Sequence, residues 1–473
     1  MSSSESEGDV YPSDCYDYEE YDDEYNDEGE MTSYSGIAGS EDDDDGERER
    51  QNELERFAHC ILNFRQGSYD DAIQSAISNY VPDELEPLDE DARERIQIRE
   101  LDNLKGQLRA PVTQYGGISI CSGDNRLGHG PKPFTSHDVS LNSYWDSFTR
   151  DFAALESSEK ISPHFIIGNV QLTEEVLGML AASLTGKNLR KLELGNNGIR
   201  QDGITSVARI VESIPSLSSL CLSRNQIDDL TAVKCLSTTL KSHPNLQRIE
   251  LSDCSIGNNV DVILAILQSD VSSINLNYNG IGSPGAEVIS GYLETNPPIH
   301  SLEIDYNEFN ENDAVRFSQA LRRNTNLNEF CARQSARGNN FSIAGIKSLL
   351  NSVFDPTSLD SIAESNHRCT LSLFPMSSDI RDHVEMINTP GLSYLEIRKR
   401  KLLIALSERD SLLGYIEDVS VELMPAVLGL ILEAENGNNQ INMVYAILRW
   451  WSMPSLFSFH QSATAKRKRY AFK

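Results

Sequence analysis

Between residues 161 and 367 the chain repeats itself about every 28 residues. In most copies, apolar residues recur at the first, fourth and sixth positions, and an asparagine follows at the ninth. Because alternate residues of a strand share one face, this spacing predicts a short strand with one buried face. A copy of this length cannot enclose its own apolar face, so neighbouring copies must stack around one shared core. The copies begin at Ile161, Leu189, Leu217, Leu246, Val271, Ile299, Leu327 and Leu359.

The asparagine column predicts a buried structural ladder. An asparagine amide carries a donor and an acceptor on one short side chain, so it can satisfy backbone groups where the chain leaves the strand. Its members are Asn169, Asn197, Asn225, Asn279, Asn307 and, with an insertion at 334–337, Asn339, while Cys254 takes the place in the fourth copy. A second apolar column, 18 residues after each start, predicts one helix per copy. This column contains Met179, Val207, Cys235, Leu264, Ile289, Phe317 and Leu349.

The repeated order Leu-x-x-Leu-x-Leu-x-x-Asn-x-Ile resembles the ribonuclease-inhibitor-like class of leucine-rich repeats. In the fifth copy it is followed by Ile281-Gly282-Ser283-Pro284-Gly285-Ala286, which strengthens the resemblance. The resemblance covers roughly residues 161–375 and implies an α/β solenoid, a horseshoe with parallel strands on its concave side and helices on its convex side. Inhibitors, scaffolds, GTPase activators and immune sensors share this fold, so the class alone does not specify function.

The segments before the repeats differ in character. The first 50 residues contain 20 acidic residues and two arginines, and they carry -18 of the chain's net charge of -31. Self-repulsion and the scarcity of apolar residues predict a disordered acidic tail over residues 1–50. Helical spacing on both sides of Gly67 predicts a helical hairpin over 51–110. Glycine and proline predict a linker over 111–137, and a returning apolar stripe predicts an N-terminal helical cap over 138–160.

The segments after the repeats have equally clear patterns. Apolar, helix-like runs predict a C-terminal helical cap over residues 376–460, because the last copy of a solenoid would otherwise expose its core. No apolar stretch is long enough to span a membrane. Residues 461–473 form a basic tail. Within it, Lys466, Arg467, Lys468 and Arg469 are either a nuclear import signal or a solvated basic end.

The sequence predicts no catalytic, cofactor-binding or metal site. Gly128-His129-Gly130-Pro131 is glycine-rich but lacks the Lys-Ser/Thr ending of a phosphate-binding loop. His367 and Cys369 have no second pair that would complete a metal site. The eight cysteines show no paired short spacing, and the N-terminus lacks a basic start and an apolar run. We therefore expect a non-enzymatic protein with reduced thiols, located in the cytoplasm or nucleus.

Without catalytic chemistry, function is expected on the concave face, where side chains between the buried strand positions point outward. The register assigns Phe165 and Ile167 to this face in the first copy, and Ala363 and Ser365 in the eighth. Four acidic residues would make its middle acidic, and two tyrosines would supply aromatic anchors. The predicted partner-binding residues are Glu193, Glu250, Asn275, Asn277, Tyr278, Glu303, Asp305, Tyr306 and Arg333.

Three functions fit these patterns. The leading hypothesis is an interaction scaffold whose concave face binds a protein partner of basic or mixed charge. The second is a GTPase activator acting on a small GTPase. It would resemble the Ran-activating proteins, although here the acidic segment is N-terminal and not C-terminal. The third is a binder of histones or other basic proteins through the acidic tail. We expect no direct contact with nucleic acid or membrane, and the sequence leaves the oligomeric state open.

Overall fold

The computed structural model describes residues 90–114, 117–122, 135–155, 164–333, 338–373, 388, 392–407, 419–420 and 422–434. Several predictions fall elsewhere. The acidic tail, the turn of the hairpin at Gly67, most of the linker, and the basic tail with Lys466, Arg467, Lys468 and Arg469 all lie outside the described residues.

The chain alternates short strands with helices. The elements before the repeats are helix α1 (Glu90–Arg109), strands β1 (Val112–Gln114) and β2 (Gly117–Cys121), a 3-10 turn (Val139–Leu141) and helix α2 (Asn142–Ala154). The repeat strands are β3 (His164–Gly168), β4 (Lys191–Glu193), β5 (Ser219–Cys221), β6 (Arg248–Glu250), β7 (Ser273–Asn275), β8 (Ser301–Glu303), β9 (Glu329–Cys331) and β10 (Thr370–Ser372). The helices between β3 and β10 are α3 (Glu174–Leu184), α4 (Gln201–Glu212), α5 (Leu230–Ser242), α6 (Val260–Leu267), α7 (Ser283–Glu294), α8 (Glu311–Arg323), α9 (Ile343–Val353) and α10 (Leu359–Glu364). Helices α11 (Tyr394–Ser407) and α12 (Met424–Ala434) follow.

The strands form one open sheet in chain order, from β1 to β10. Strands β2 to β10 are parallel, and β1 alone is antiparallel to its neighbour. The predicted inward residues of the central strands stand opposite one another and are fully buried under the helices: Leu192, Leu220, Ile249, Ile274, Leu302 and Phe330. The predicted leucine-rich-repeat solenoid is thereby confirmed. The strand face, as used below, is the side of β3–β9 that points away from the helices.

The asparagine ladder has the predicted structural role. Asn225 is buried; its Oδ1 accepts from the backbone N–H groups of Asn197 and Ile199, and its Nδ2 donates to the carbonyl of Leu194. Asn197, Asn279, Asn307 and Asn339 make equivalent bonds to the preceding repeat. Each ladder amide therefore ties two successive turns together.

The register of the first copy is one residue away from the prediction. Phe165 pairs with Leu192, and Phe165 and Ile167 are both buried, so these two side chains point inward and not onto the strand face. In the same way, Asn169 aligns with Asn196 and lies one position before the ladder. The ladder position is held by Val170, whose backbone N–H donates to Asn197 Oδ1. A slip of one residue exchanges the two faces of a strand.

The eighth copy also differs from the prediction. Residues Leu359–Glu364 form helix α10 and not a strand, and Ala363 is buried within it. The strand of this last copy lies later, at Thr370–Ser372, with Leu371 opposite Phe330. Leu359, Ile362 and Ala363 have helical spacing as well as approximate strand spacing, so the periodicity was ambiguous. The predicted strand-face positions Ala363 and Ser365 are therefore wrong.

The predicted linker over 111–137 is wrong for its first part, which forms β1 and β2. Strand β2 extends the parallel sheet by pairing Ile120 with Ile167. Helix α1, the described part of the predicted hairpin, packs on this addition through Leu104 and Leu108. Flanking glycines concealed the alternation of Ile118 and Ile120 in the sequence.

The helices at both ends of the sheet cover its apolar core. In α2, Trp145, Phe148 and Phe152 are buried, and the last two lie against Phe165 of β3. At the other end, α11 packs on α10, and α12 packs on α11. The described helices within 138–160 and 376–460 thus lie where caps were predicted.

One member of the predicted helix column is misplaced. Cys235 is exposed, because α5 packs through Val233, Leu236 and Leu240. Its repeat is one residue longer than the preceding one, which rotates the helical face relative to the counted column.

Candidate functional site on the strand face

Alternation along the short strands brings the predicted acidic residues to the strand face. Glu193, Glu250 and Glu303 each follow a buried inward residue, at the ends of β4, β6 and β8. Strand pairing places Asn275 between Glu250 and Glu303 on adjacent strands. Neighbouring strands lie about 4.8 Å apart, so these side chains are close enough to bond to one another.

Glu303 is the centre of a buried polar network. Its Oε2 accepts from Asn275 Nδ2 at 2.8 Å and Asn277 Nδ2 at 3.2 Å, and its Oε1 lies 3.2 Å from Arg248 Nη2. Burial raises the pKa of Glu303, while the Arg248 charge opposes that shift. The carboxylate is occupied by this chain's own donors, so it differs from the open acidic group that the sequence predicted.

Asp305 lies deeper, with 1% of its surface exposed. Its Oδ1 accepts from the backbone N–H of Arg333 at 2.5 Å, and its Oδ2 lies 2.9 Å from Arg333 Nε. Its own backbone N–H donates to Asn277 Oδ1 at 2.6 Å. Burial raises the pKa of Asp305, and the Arg333 charge limits the rise. Asn275, Asn277, Glu303, Asp305 and Arg333 thus meet in one network, which the sequence did not predict.

The accessible carboxylates of the strand face include Glu193 and Glu250, whose side chains are 28% and 24% exposed, and the exposed Glu329 at the start of β9. Glu193 and Glu250 each pair with a basic residue two positions earlier on the same strand: Lys191 Nζ lies 3.0 Å from Glu193, and Arg248 Nε lies 3.0 Å from Glu250. The strand face therefore offers mixed charge and not a uniformly acidic ridge.

Tyr278 and Tyr306 lie three residues beyond the ends of β7 and β8. Their rings stack with centroids 4.3 Å apart and planes 11° from parallel, and Tyr278 is 50% exposed. Both residues have left-handed backbone, with φ of 57° and 54°. The same position is left-handed in six successive repeats, and we call these residues the rim column: Asn169, Asn196, Arg224, Asp253, Tyr278 and Tyr306.

Sequence reasoning missed five residues that belong to this surface. Lys191, Arg248 and Glu329 occupy the first outward position of their strands, and Arg224 and Asp253 precede Tyr278 in the rim column. A comparison of the repeats at the position just before the asparagine ladder would have found the rim column. The relevant signal was the shared register and not any local motif.

The described residues carry little sign of other chemistry. No group of three or more His, Cys, Asp or Glu residues among them is arranged to hold a metal ion. Burial raises the pKa of Cys221 and of Cys254 to about 12, so both remain neutral thiols. No helix in the described ranges has the length and apolar character needed to cross a membrane.

A second depression lies on the helical side, between α6 and α7. Helix α6 has eight residues and α7 has twelve, so the shorter helix leaves a cavity of about 620 Å³ beside its neighbour. Val260, Leu264, Val288 and Tyr292 line it. This surface is apolar and lacks the polar network of the strand face.

A family model described as leucine-rich repeat matches residues 270–290. The matched residues run from just before Val271 through β7 into α7, which is one strand and most of one helix. The match and the parallel sheet with alternating helices both fit a leucine-rich-repeat protein. Such repeats are typically non-enzymatic modules that bind other proteins.

Proposed function

We propose that this leucine-rich-repeat protein is a non-enzymatic scaffold whose strand face binds a protein partner of basic or mixed charge. The observation that carries the proposal is the continuous parallel sheet with one face covered by helices and the other lined by polar side chains and an exposed tyrosine. The seven strands β3–β9, spaced about 4.8 Å apart, extend for roughly 30 Å, which suits a peptide or a small domain. The copy length of about 28 residues supports the ribonuclease-inhibitor-like class.

We expect the binding energy to come from side chains that are partly exposed in the free protein and lose their hydration in the complex. Glu250 provides such a charge at the middle of the strand face, Glu193 provides one nearer its first strand, and Tyr278 provides an aromatic surface at its edge. Aromatic residues and charged groups near the centre of an interface dominate affinity in most complexes. Glu303 and Asp305 are already bonded internally and mainly hold the surface in shape.

The test is affinity capture of partners from cell extract with the full chain and with charge-reversed variants. Glu193→Lys combined with Glu250→Lys should abolish capture of the principal partner, because like charges would then face a basic segment. Glu303 and Asp305 are left intact, since reversing a buried carboxylate would disturb folding. Glu287→Lys on α7 is the matched control, because its side chain is 76% exposed on the helical side.

Unchanged capture by the double variant, with a normal circular dichroism spectrum, would reject the strand face as the binding surface. If the Glu287→Lys control also loses capture, capture depends on the overall charge of the chain and not on the strand face, which would again reject this face as the binding surface.

The charge of the N-terminal segment supports a second candidate, the binding of histones or other basic proteins. Residues 1–50 carry a charge of -18, which attracts cations at a range that salt shortens. Histone binding should then weaken sharply with added salt and disappear when residues 1–50 are deleted. Binding that survives both changes excludes this candidate.

GTPase activation rests on the family resemblance alone. Hydrolysis of GTP by a panel of small GTPases, with and without the chain, decides it. For either function we propose a cytoplasmic or nuclear location, with the basic cluster Lys466, Arg467, Lys468 and Arg469 as the import signal in the nuclear case.

A further inference from the structure

The rim column contains two tyrosines where its backbone favours asparagine. At φ near 55° a Cβ atom crowds the following carbonyl, which costs on the order of 1 kcal/mol for residues other than glycine, asparagine and aspartate. Asn169 and Asn196 occupy the same position earlier in the array, so asparagine is compatible with this solenoid. The backbone conformation alone therefore gives no reason for Tyr278 and Tyr306.

The stacking of the two rings offsets this strain only in part. Aromatic pairs prefer offset or edge-to-face arrangements, because the negative faces of two rings repel each other in a parallel sandwich. Tyr278 and Tyr306 are nearly parallel with centroids 4.3 Å apart, and Tyr278 is 50% exposed. A cation stacked against the exposed ring is attracted by its negative face.

A carboxylate occupies the neighbouring position of the rim column. The backbone N–H of Asp253 donates to the carbonyl of Asn277, and that of Tyr278 donates to the carbonyl of Asp305, so Asp253 and Tyr278 are equivalent positions in adjacent repeats. The Asp253 side chain is 57% exposed, and its ion pair with Arg224 is long, at 4.0 Å. A carboxylate held this loosely retains lone pairs for a second cation.

From this arrangement we propose that the rim column is an arginine-recognition site, in which a partner's guanidinium stacks on the Tyr278–Tyr306 pair and bonds to the Asp253 carboxylate. The inference rests on the proposed protein-binding function and names the side chain that the partner presents. A guanidinium is planar, is weakly hydrated and donates in a fork, so it stacks and pairs at the same time. A lysine ammonium offers neither the plane nor the fork.

The experiment uses the full chain and two peptides of zero net charge, acetyl-Ser-Glu-Gly-Arg-Gly-Ser-amide and its lysine counterpart. Zero net charge keeps the acidic segment of the chain from dominating the measurement. Dissociation constants in the millimolar range are measured by ligand-observed NMR titration. The arginine peptide should bind at least threefold more tightly than the lysine peptide.

The decisive variant is Tyr278→Asn, because asparagine already occurs in the rim column and tolerates its backbone. We expect an unchanged or higher melting temperature together with roughly fivefold weaker binding of the arginine peptide. Tyr278→Phe keeps the ring and should bind within about twofold of the parent. Asp253→Asn should weaken the arginine peptide and reduce its advantage over lysine. Tyr292→Leu, on the helical side, is the control and should bind normally.

Three results would overturn the inference. They are equal affinity for both peptides, unchanged binding of the arginine peptide by Tyr278→Asn, and no detectable binding of either peptide at a concentration of about 10 mM. A lower melting temperature of Tyr278→Asn with unchanged binding would assign the pair a structural role. These outcomes are separate from the proposed function, because partner capture depends on Glu193 and Glu250. If the Glu193→Lys and Glu250→Lys double variant loses capture but the chain binds both peptides equally, the proposed scaffold function stands and the arginine-recognition site is rejected.

Discussion

Replacing Asn307 by alanine tests the ladder on which the whole solenoid depends. Asn307 is fully buried between the fifth and sixth repeats. Its Oδ1 accepts from the backbone N–H groups of Asn279 at 3.0 Å and Ile281 at 3.1 Å. Its Nδ2 donates to the carbonyls of Leu276 and Ile304, both at 3.0 Å. Alanine removes these four bonds, together with a longer one from Nδ2 to the Asp305 carbonyl at 3.3 Å, and supplies no replacement.

The expected loss follows from those four bonds. Each buried backbone group left without a partner costs about 1 kcal/mol or more. Water that enters the space of the missing amide can satisfy some of these groups, which lowers the total. We therefore expect Asn307→Ala to reduce the free energy of unfolding by about 3–4 kcal/mol, a large share of the 5–15 kcal/mol typical of a domain.

Two measurements check this value. Urea unfolding, followed by circular dichroism, gives the global loss, and amide hydrogen exchange should show lower protection at Asn279 and Ile281 in particular. Asn312→Ala is the matched control, because this asparagine is exposed on α8 and should change stability by less than about 0.5 kcal/mol. A loss below about 1 kcal/mol for Asn307→Ala, or unchanged exchange at the two amides, would refute the reasoning.

Three further predictions concern buried groups. Cys254→Asn restores the ladder at its one cysteine, whose Sγ lies 3.3 Å from the Leu222 carbonyl, and should raise the free energy of unfolding in urea by about 1 kcal/mol. Burial, followed by the Lys401 charge, lowers the pKa of His367 to about 3. Below pH 6.5 the unfolded chain binds a proton at this residue and the folded chain does not, so the stability of the folded state declines as the pH falls from 6.5 toward 3. Stability should drop by about 2 kcal/mol between pH 7 and pH 5, and His367→Gln should flatten this slope. Lys401 donates to the carbonyls of Val353 and Asn366, so Lys401→Ala should lower the free energy of unfolding by about 3 kcal/mol, with a matching fall in melting temperature.

The sequence was sufficient to predict the central strands, because the spacing of their apolar residues allows only one choice of inward-facing positions. In β4, β6, β7 and β8 a single inward residue is flanked by polar ones, as Leu302 is by Ser301 and Glu303. Periodicity then identifies both the strand and its buried face. The ladder asparagines followed from the same register, since their chemistry requires a buried turn.

Prediction failed where several apolar residues are consecutive or where the spacing fits two structures. Phe165, Ile166 and Ile167 are all apolar, so only the pairing of Phe165 with Leu192 decides which of them point inward. The pattern of α10 fits a helix as well as a strand, and composition hid β2 among glycines. These choices depend on neighbouring strands that lie many residues away along the chain.

The site shows the same limit in another form. Alternation correctly placed Glu303 and Asn275 on the strand face, but it could not show that side chains from adjacent strands bury one another. Glu303 became internal because Asn275, Asn277 and Arg248 surround it, and each belongs to a different position of another repeat. The exposed fraction of a side chain on this face depends on which residues of the neighbouring repeats lie beside it, so the pattern within one repeat cannot predict it.

The centre of the strand face and the rim column differ in how their side chains are held. At the centre, buried carboxylates are bonded to the chain's own donors, as Asp305 is to Arg333, so little is left for a partner. At the rim, Tyr278 is half exposed in a backbone conformation that its side chain disfavours. A residue that lowers stability while it remains accessible is retained for contact and not for folding. The buried carboxylates therefore fix the shape of the surface, and recognition is expected at the partly exposed Glu193 and Glu250 and at the rim column.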